Sequence, residues 1–159
     1  MEREQVIHAL NENLRAELSA VEMYSAHAEA ISEDAVAEGV RAIMQVEFRH
    51  ARDLARRIRA LGGSPVEPGG AETLAGRAAG AMTARASTAE MLRLQLAEEQ
   101  QAIKDYASEI ADIMDDGETL DLLQENLNDE IEHSRWMKEQ LKLLAGTGAA
   151  GRSLGTGGL

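Results

Sequence analysis

Apolar residues recur three and four positions apart through nearly the whole chain, and no stretch shows the two-residue alternation of a strand. Over residues 3–32 the stripe runs Val6, Ile7, Leu10, Leu14, Leu18, Val21 and Tyr24, a period of about 3.6 that predicts a long amphipathic helix. The pattern breaks in ISEDAVAEG (31–39), where Ser32 or Asp34 is placed to cap a second helix. That helix is expected to reach Leu61 and stop at Gly62 and Gly63, with Pro65 and Pro68 beyond.

Residues 62–87 are rich in Gly and Ala and hold both prolines. AETLAGRAAGAMTARA (71–86) has some helical character, but the stretch reads mainly as a connection. The helical pattern resumes at Ser87, runs through Met114, breaks at DDGE around Gly117 and continues to Leu144. From Gly146 to Leu159 small residues dominate, which predicts a mobile tail. Short loops make the helices within each pair antiparallel neighbours, and the 62–87 link is long enough to cross the length of a bundle. The expected fold is an all-α four-helix bundle of two antiparallel hairpins with one long crossover, a domain over 1–145 and a tail over 146–159.

Composition adds limits. The chain has no cysteine among its 159 residues, which excludes disulfides, thiolate zinc sites and iron–sulfur clusters. MEREQVIHAL has neither a basic n-region nor an apolar h-region, and no apolar run approaches the ~18 residues of a membrane span. The expectation is a soluble cytoplasmic protein without membrane contact. Acidic residues outnumber basic ones 28 to 16, a formal charge of −12 that repels nucleic acid and attracts cations. Composition does not tell solubilising carboxylates from metal ligands.

The motifs address that question. Glu47 and His50 stand in VEFRHA, about 60° apart around a helix and ~4.5 Å apart along it, as many solvated surface pairs do. A second Glu-x-x-His, Glu130 and His133, lies in NDEIEHSRW of the fourth helix. In the first helix Glu17 is followed seven residues later by Tyr24, and in the third Glu99 is followed seven later by Tyr106, so each Glu shares a face with its Tyr. Glu17 precedes Glu47 by 30 residues and Glu99 precedes Glu130 by 31. The first half is thus echoed in the second. Counted from the turns at ~1.5 Å per residue, each hairpin brings its three groups to one height. Each supplies half the set, which leaves open whether the halves meet within one chain or between two. Four buried carboxylates without compensation would be strongly unfavourable. Two divalent cations would cancel them, and oxygen-rich ligands with two imidazoles suit iron or manganese better than zinc.

One Glu from each of two helices plus a Glu-x-x-His from each of the others resembles the di-metal carboxylate arrangement of ferritin-like proteins. Within that class LNENLRAELSAVEMYSAHA (10–28), EFRHARDLARRIRALGGSP and DEIEHSRWMKEQLKLL resemble the first, second and fourth helices of bacterioferritins. The resemblance implies Glu17 and Glu99 as terminal carboxylates, Glu47 and Glu130 as bridges, and His50 and His133 as terminal imidazoles. Glu98 is the alternative to Glu99. Tyr24 and Tyr106 would lie beside the site, where phenols hydrogen-bond ligands or supply an electron, or simply fill the core. Trp136 and His27 read as packing residues, and His8 has no partner. Bacterioferritins typically place a haem-ligating methionine after the second-helix glutamate; here Phe48 stands there, which argues against haem.

The end, GRSLGTGGL, is glycine-rich, and its Ser153, Leu154, Gly155, Gly157 and Leu159 resemble the C-terminal peptide that targets cargo to encapsulin nanocompartments. Thr156 stands where that pattern has isoleucine and Gly158 where it has serine. GTGAAG before it fits a tether. Together these resemblances imply a homo-oligomeric ferroxidase for iron storage or detoxification, acting on Fe(II) with O2 or H2O2, docked in an encapsulin shell through residues 153–159. The alternatives are a rubrerythrin-like peroxide reductase, which without cysteine would need an external donor, a manganese-catalase-like enzyme, and a non-catalytic metal-binding bundle.

Overall fold

A computed structural model describes residues 1–153, with side chains through residue 148. The order is α1 (Arg3–Ala30), α2 (Asp34–Ala60), α3 (Ala71–Thr83), α4 (Thr88–Asp112) and α5 (Gly117–Ser153), with no strand among the described residues. α1 packs against α2 and α4 against α5, giving the two hairpins. Thr88 at the start of α4 bonds Glu33 beside the α1–α2 turn, and the Met1 amine donates to the Asp112 carbonyl at 3.1 Å. α4 therefore runs antiparallel to α1.

The helix boundaries have local causes. α2 ends in a Schellman motif: Gly62, at φ +84°, donates to the Arg59 carbonyl and Gly63 to that of Ile58, both at 2.9 Å. A capping box opens α4, Ser87 Oγ accepting from the Glu90 N–H at 3.2 Å and Glu90 Oε2 from the Ser87 N–H at 2.9 Å. The start of α2 differs from expectation. Its cap residue is Glu33, not Ser32 or Asp34, and it makes no side-chain cap bond. Glu33 Oε2 instead accepts from Ser32 Oγ at 3.1 Å and Thr88 Oγ1 at 2.6 Å, so the acid ties the turn to α4.

The crossover carries more structure than a connection. It runs along α1, beginning where Asn11 donates to the Ser64 carbonyl at 3.1 Å and accepts from the Val66 N–H at 2.9 Å. α3 then lies directly on α1. A Cβ on Gly76 would come within 2.4 Å of the Ser19 carbonyl oxygen, and one on Gly80 within 2.9 Å of Met23 Cα. Arg15–Glu72 and Arg77–Glu22 ion pairs, both 3.1 Å, flank the contact. α5 also differs, continuing to Ser153 past Leu144. Each added residue gains a backbone bond once a helix exists, and Thr147 Oγ1 bonds back to the Leu144 carbonyl at 2.9 Å. Residues 154–159, most of the targeting-peptide resemblance, lie outside the described residues.

Inside the bundle, two apolar clusters are separated along the axis. Leu10, Leu54, Ile58 and Leu123 belong to one, Val40, Met91, Leu92 and Met137 to the other. Trp136 packs where Gly39 leaves room, a Cβ there lying 2.1 Å from the indole. Between the clusters lies a buried polar layer.

Candidate metal centre

Six residues make that layer. Glu17 projects from α1, Glu47 and His50 from α2, Glu99 from α4, and Glu130 and His133 from α5; none is more than 7% exposed. All come from one chain. They form two overlapping groups, Glu17–Glu47–His50–Glu130 and Glu47–Glu99–Glu130–His133, each with donor atoms within 4.8 Å of one another and each able to hold an ion. Glu47 and Glu130 belong to both. Glu98, the alternative to Glu99, is exposed at the mouth of a cavity of about 50 Å³ that leads inward between α1 and α4.

The imidazoles face the carboxylates through Nδ1. His133 Nδ1 is 2.9 Å from Glu47 Oε1 and 3.0 Å from Glu99 Oε2, and His50 Nδ1 is 3.1 Å from Glu130 Oε1. Burial alone would lower both imidazoles, but the carboxylates of Glu130 and its neighbours crowded against Nδ1 override it, raising His133 to about 12 and raising His50 as well. Burial pushes Glu47 up to about 8, with Glu17 adding repulsion, and Glu99 likewise to about 8. Glu17 goes the other way: burial would raise it, and its close contacts with His50 and Glu47 outweigh that. Metal-free, the layer holds itself together with protons.

Hydrogen bonds do not satisfy it. Glu47 Oε1, Glu130 Oε1 and His50 Nδ1 are buried with no hydrogen-bond partner of acceptable geometry. Such orphans are rare in proteins, and three of the five among the described residues belong to the shared glutamates and an imidazole of one donor group. The residues fit a pair of cations.

Each tyrosine crosses to the other hairpin. Tyr24, on α1 with Glu17, donates to Glu99 Oε1 at 2.6 Å, and Tyr106, on α4 with Glu99, donates to Glu17 Oε1. Both phenols are buried and pushed well above their usual range, by burial first and by the nearby glutamates second. Asn126 donates to the Tyr106 oxygen at 3.2 Å. His27 fills the core as expected, and it bonds Thr83 Oγ1 at 2.6 Å and the Gln95 amide at 2.8 Å; burial lowers it to about 4. His8 is exposed, and Phe48 is 57% exposed on the outer face of α2.

Sequence reasoning passed over Asp129. Its Oδ2 accepts from His50 Nε2 at 3.0 Å and from the Arg49 guanidinium. The signal was an acid directly before Glu130, invisible as a partner until α5 meets α2.

Comparison with known proteins agrees with this architecture. No curated protein matches the sequence. Among solved structures, the dodecameric thioferritin of Bacteroides fragilis, a bacterioferritin-related protein, superposes with a TM-score of 0.79 at 20% identity, over 94% of this chain and 92% of that one. Mycobacterium tuberculosis bacterioferritin gives 0.74 at 25% identity, over 92% and 90%. A ferritin-like, diiron-carboxylate protein of Bacillus anthracis gives 0.70 at 26%, over 89% and 99%. The ferritin-like domain matches residues 7–147, nearly the whole bundle, and the chain therefore belongs to the ferritin-like family.

Proposed function

We propose that the protein is a ferroxidase that oxidises Fe(II) to Fe(III) for iron storage or detoxification. The observation that carries this reading is the pair of donor groups sharing Glu47 and Glu130, in a layer whose buried oxygens and imidazole nitrogen lack hydrogen-bond partners. Glu17 and His50 would hold one ion and Glu99 and His133 the other, with Glu47 and Glu130 bridging. Bound Fe(II) supplies one electron per ion to O2 or peroxide.

The chain's own groups prepare for that chemistry. His50 and His133 must release the protons their carboxylate neighbours hold on them before Nδ1 can ligate, and Glu47 and Glu99 must ionise, so cation binding expels protons. Tyr24 and Tyr106 remain protonated and aim Glu99 and Glu17 by donating to them. The apolar clusters on either side keep bulk water from the layer.

The test is stopped-flow absorbance after mixing metal-free protein with Fe(II) and air. Oxidation faster than in buffer is expected, and a Glu47→Ala, Glu130→Ala double variant should lose the acceleration. Full acceleration in that variant, or none in the wild type, overturns the reading. The B. fragilis relative is a dodecamer, which supports homo-oligomerisation here. Residues 153–159 would dock the protein in an encapsulin shell in the cytoplasm.

A further inference from the structure

The internal repeat is broken at one place. Glu130 answers to Glu47 and His133 to His50, so the residues directly before the two glutamates, Asp129 on α5 and Val46 on α2, occupy corresponding positions. Asp129 reaches His50 Nε2 at 3.0 Å and is itself held by Arg49. A carboxylate only accepts in such a contact, so Nε2 keeps its hydrogen, and when a cation displaces the proton from Nδ1 the lone pair is left on the nitrogen that faces the site. Val46 offers His133 nothing equivalent, and among the described residues His133 Nε2 makes no hydrogen bond. The position answering to Arg49 is Glu132, which pairs with Arg135 on the surface. The His133 side chain is also the more exposed, 9% against 1% for His50.

We infer that the two metal positions are unequal, the Glu17–His50 position binding tightly and the Glu99–His133 position exchanging, because Asp129 backs His50 and Val46 cannot back His133. This rests on the di-metal reading above. Outer hydrogen-bond partners of ligating histidines change metal affinity by about 10–100-fold, which sets the expected gap. Asp129 is a positioning residue, acting through the imidazole.

Metal-free protein titrated anaerobically with Co(II) by calorimetry tests the inference. Two steps about 10–100-fold apart are expected, the tight one weakened by Glu17→Ala and the weak one by Glu99→Ala. Val46→Asp should tighten the weak step, and Asp129→Val should bring the tight step down to it. A chelator should likewise strip one Co(II) ion quickly and one slowly from the wild type, but both at similar rates from Asp129→Val. Two equal positions also fill in two steps, because bound cations repel. A gap that survives in Asp129→Val, with Val46→Asp changing nothing, overturns the inference and leaves the centre standing. If Co(II) does not bind, the di-metal reading fails, and the inference with it.

Discussion

Stripping metal should leave a protein whose stability falls as pH rises from 5 to 8. Glu47 and Glu99, each 1% exposed, are pushed up to about 8 in the fold, mainly by burial, against 4.5 for an ordinary glutamate. Below pH 4.5 they are protonated in both states and cost nothing. Between 4.5 and 8 the unfolded chain gives up protons that the folded chain keeps, so stability declines. His50 and His133, raised in the fold by their carboxylate partners, contribute fully below about 6.5 and lose that contribution as pH rises, in the same direction. His27 opposes them: lowered to about 4 by burial, it costs stability as pH falls from 6.5 towards 4. Glu17, held low, acts only below the window.

One group changes stability by at most ~1.4 kcal/mol per pH unit, so Glu47 and Glu99 together set a ceiling of roughly 8 kcal/mol over three units. His50 and His133 add to the fall above pH 6.5 and His27 returns up to ~2 kcal/mol; because neighbouring groups in one layer share protons rather than titrate independently, the expected fall is about half that ceiling, roughly 4 kcal/mol. For a chain of this size that is a drop of roughly 8–16 °C in Tm. Calorimetry in chelator at pH 5, 6, 7 and 8 measures it, and saturating Mn(II) should flatten the trend by replacing protons in the layer. A metal-free Tm that is level or rising across the window refutes the reasoning. So does an unchanged slope in a Glu47→Gln, Glu99→Gln double variant.

Tyr106→Phe removes the donor to Glu17 and should cost about 1–3 kcal/mol in urea unfolding, while slowing Fe(II) oxidation; wild-type values in both would deny the phenol its role. Gly76→Ala gains about 1 kcal/mol of helix propensity, but its Cβ meets the Ser19 backbone. Faster amide exchange over residues 71–83, with α4 unaffected, is the expected result. Leu54→Ala, at a fully buried position, should destabilise by about 2–5 kcal/mol in calorimetry. Deleting residues 153–159 should abolish co-purification with a co-expressed encapsulin shell while leaving Fe(II) oxidation unchanged.

Periodicity alone determined the four long helices, because an amphipathic stripe can be buried only on one face. Spacing alone put Glu17, Glu47, His50, Glu99, Glu130 and His133 at one height, because rise per residue is fixed by backbone geometry. Contacts between helices were beyond its reach. A seven-residue spacing places Tyr24 on the face of Glu17, but the side chain it meets depends on how α1 and α4 pack, and Tyr24 meets Glu99. Asp129 became the partner of His50 only once α5 lay beside α2. Glu99 rather than Glu98 faces inward because of the rotation of α4 about its axis, a quantity set by its neighbours. The crossover helix follows the same rule. Its alanine-rich sequence favours a helix that Gly76 and Gly80 weaken, and what fixes α3 in place is the docking of those two glycines against the backbone of α1, a contact that local propensity cannot express.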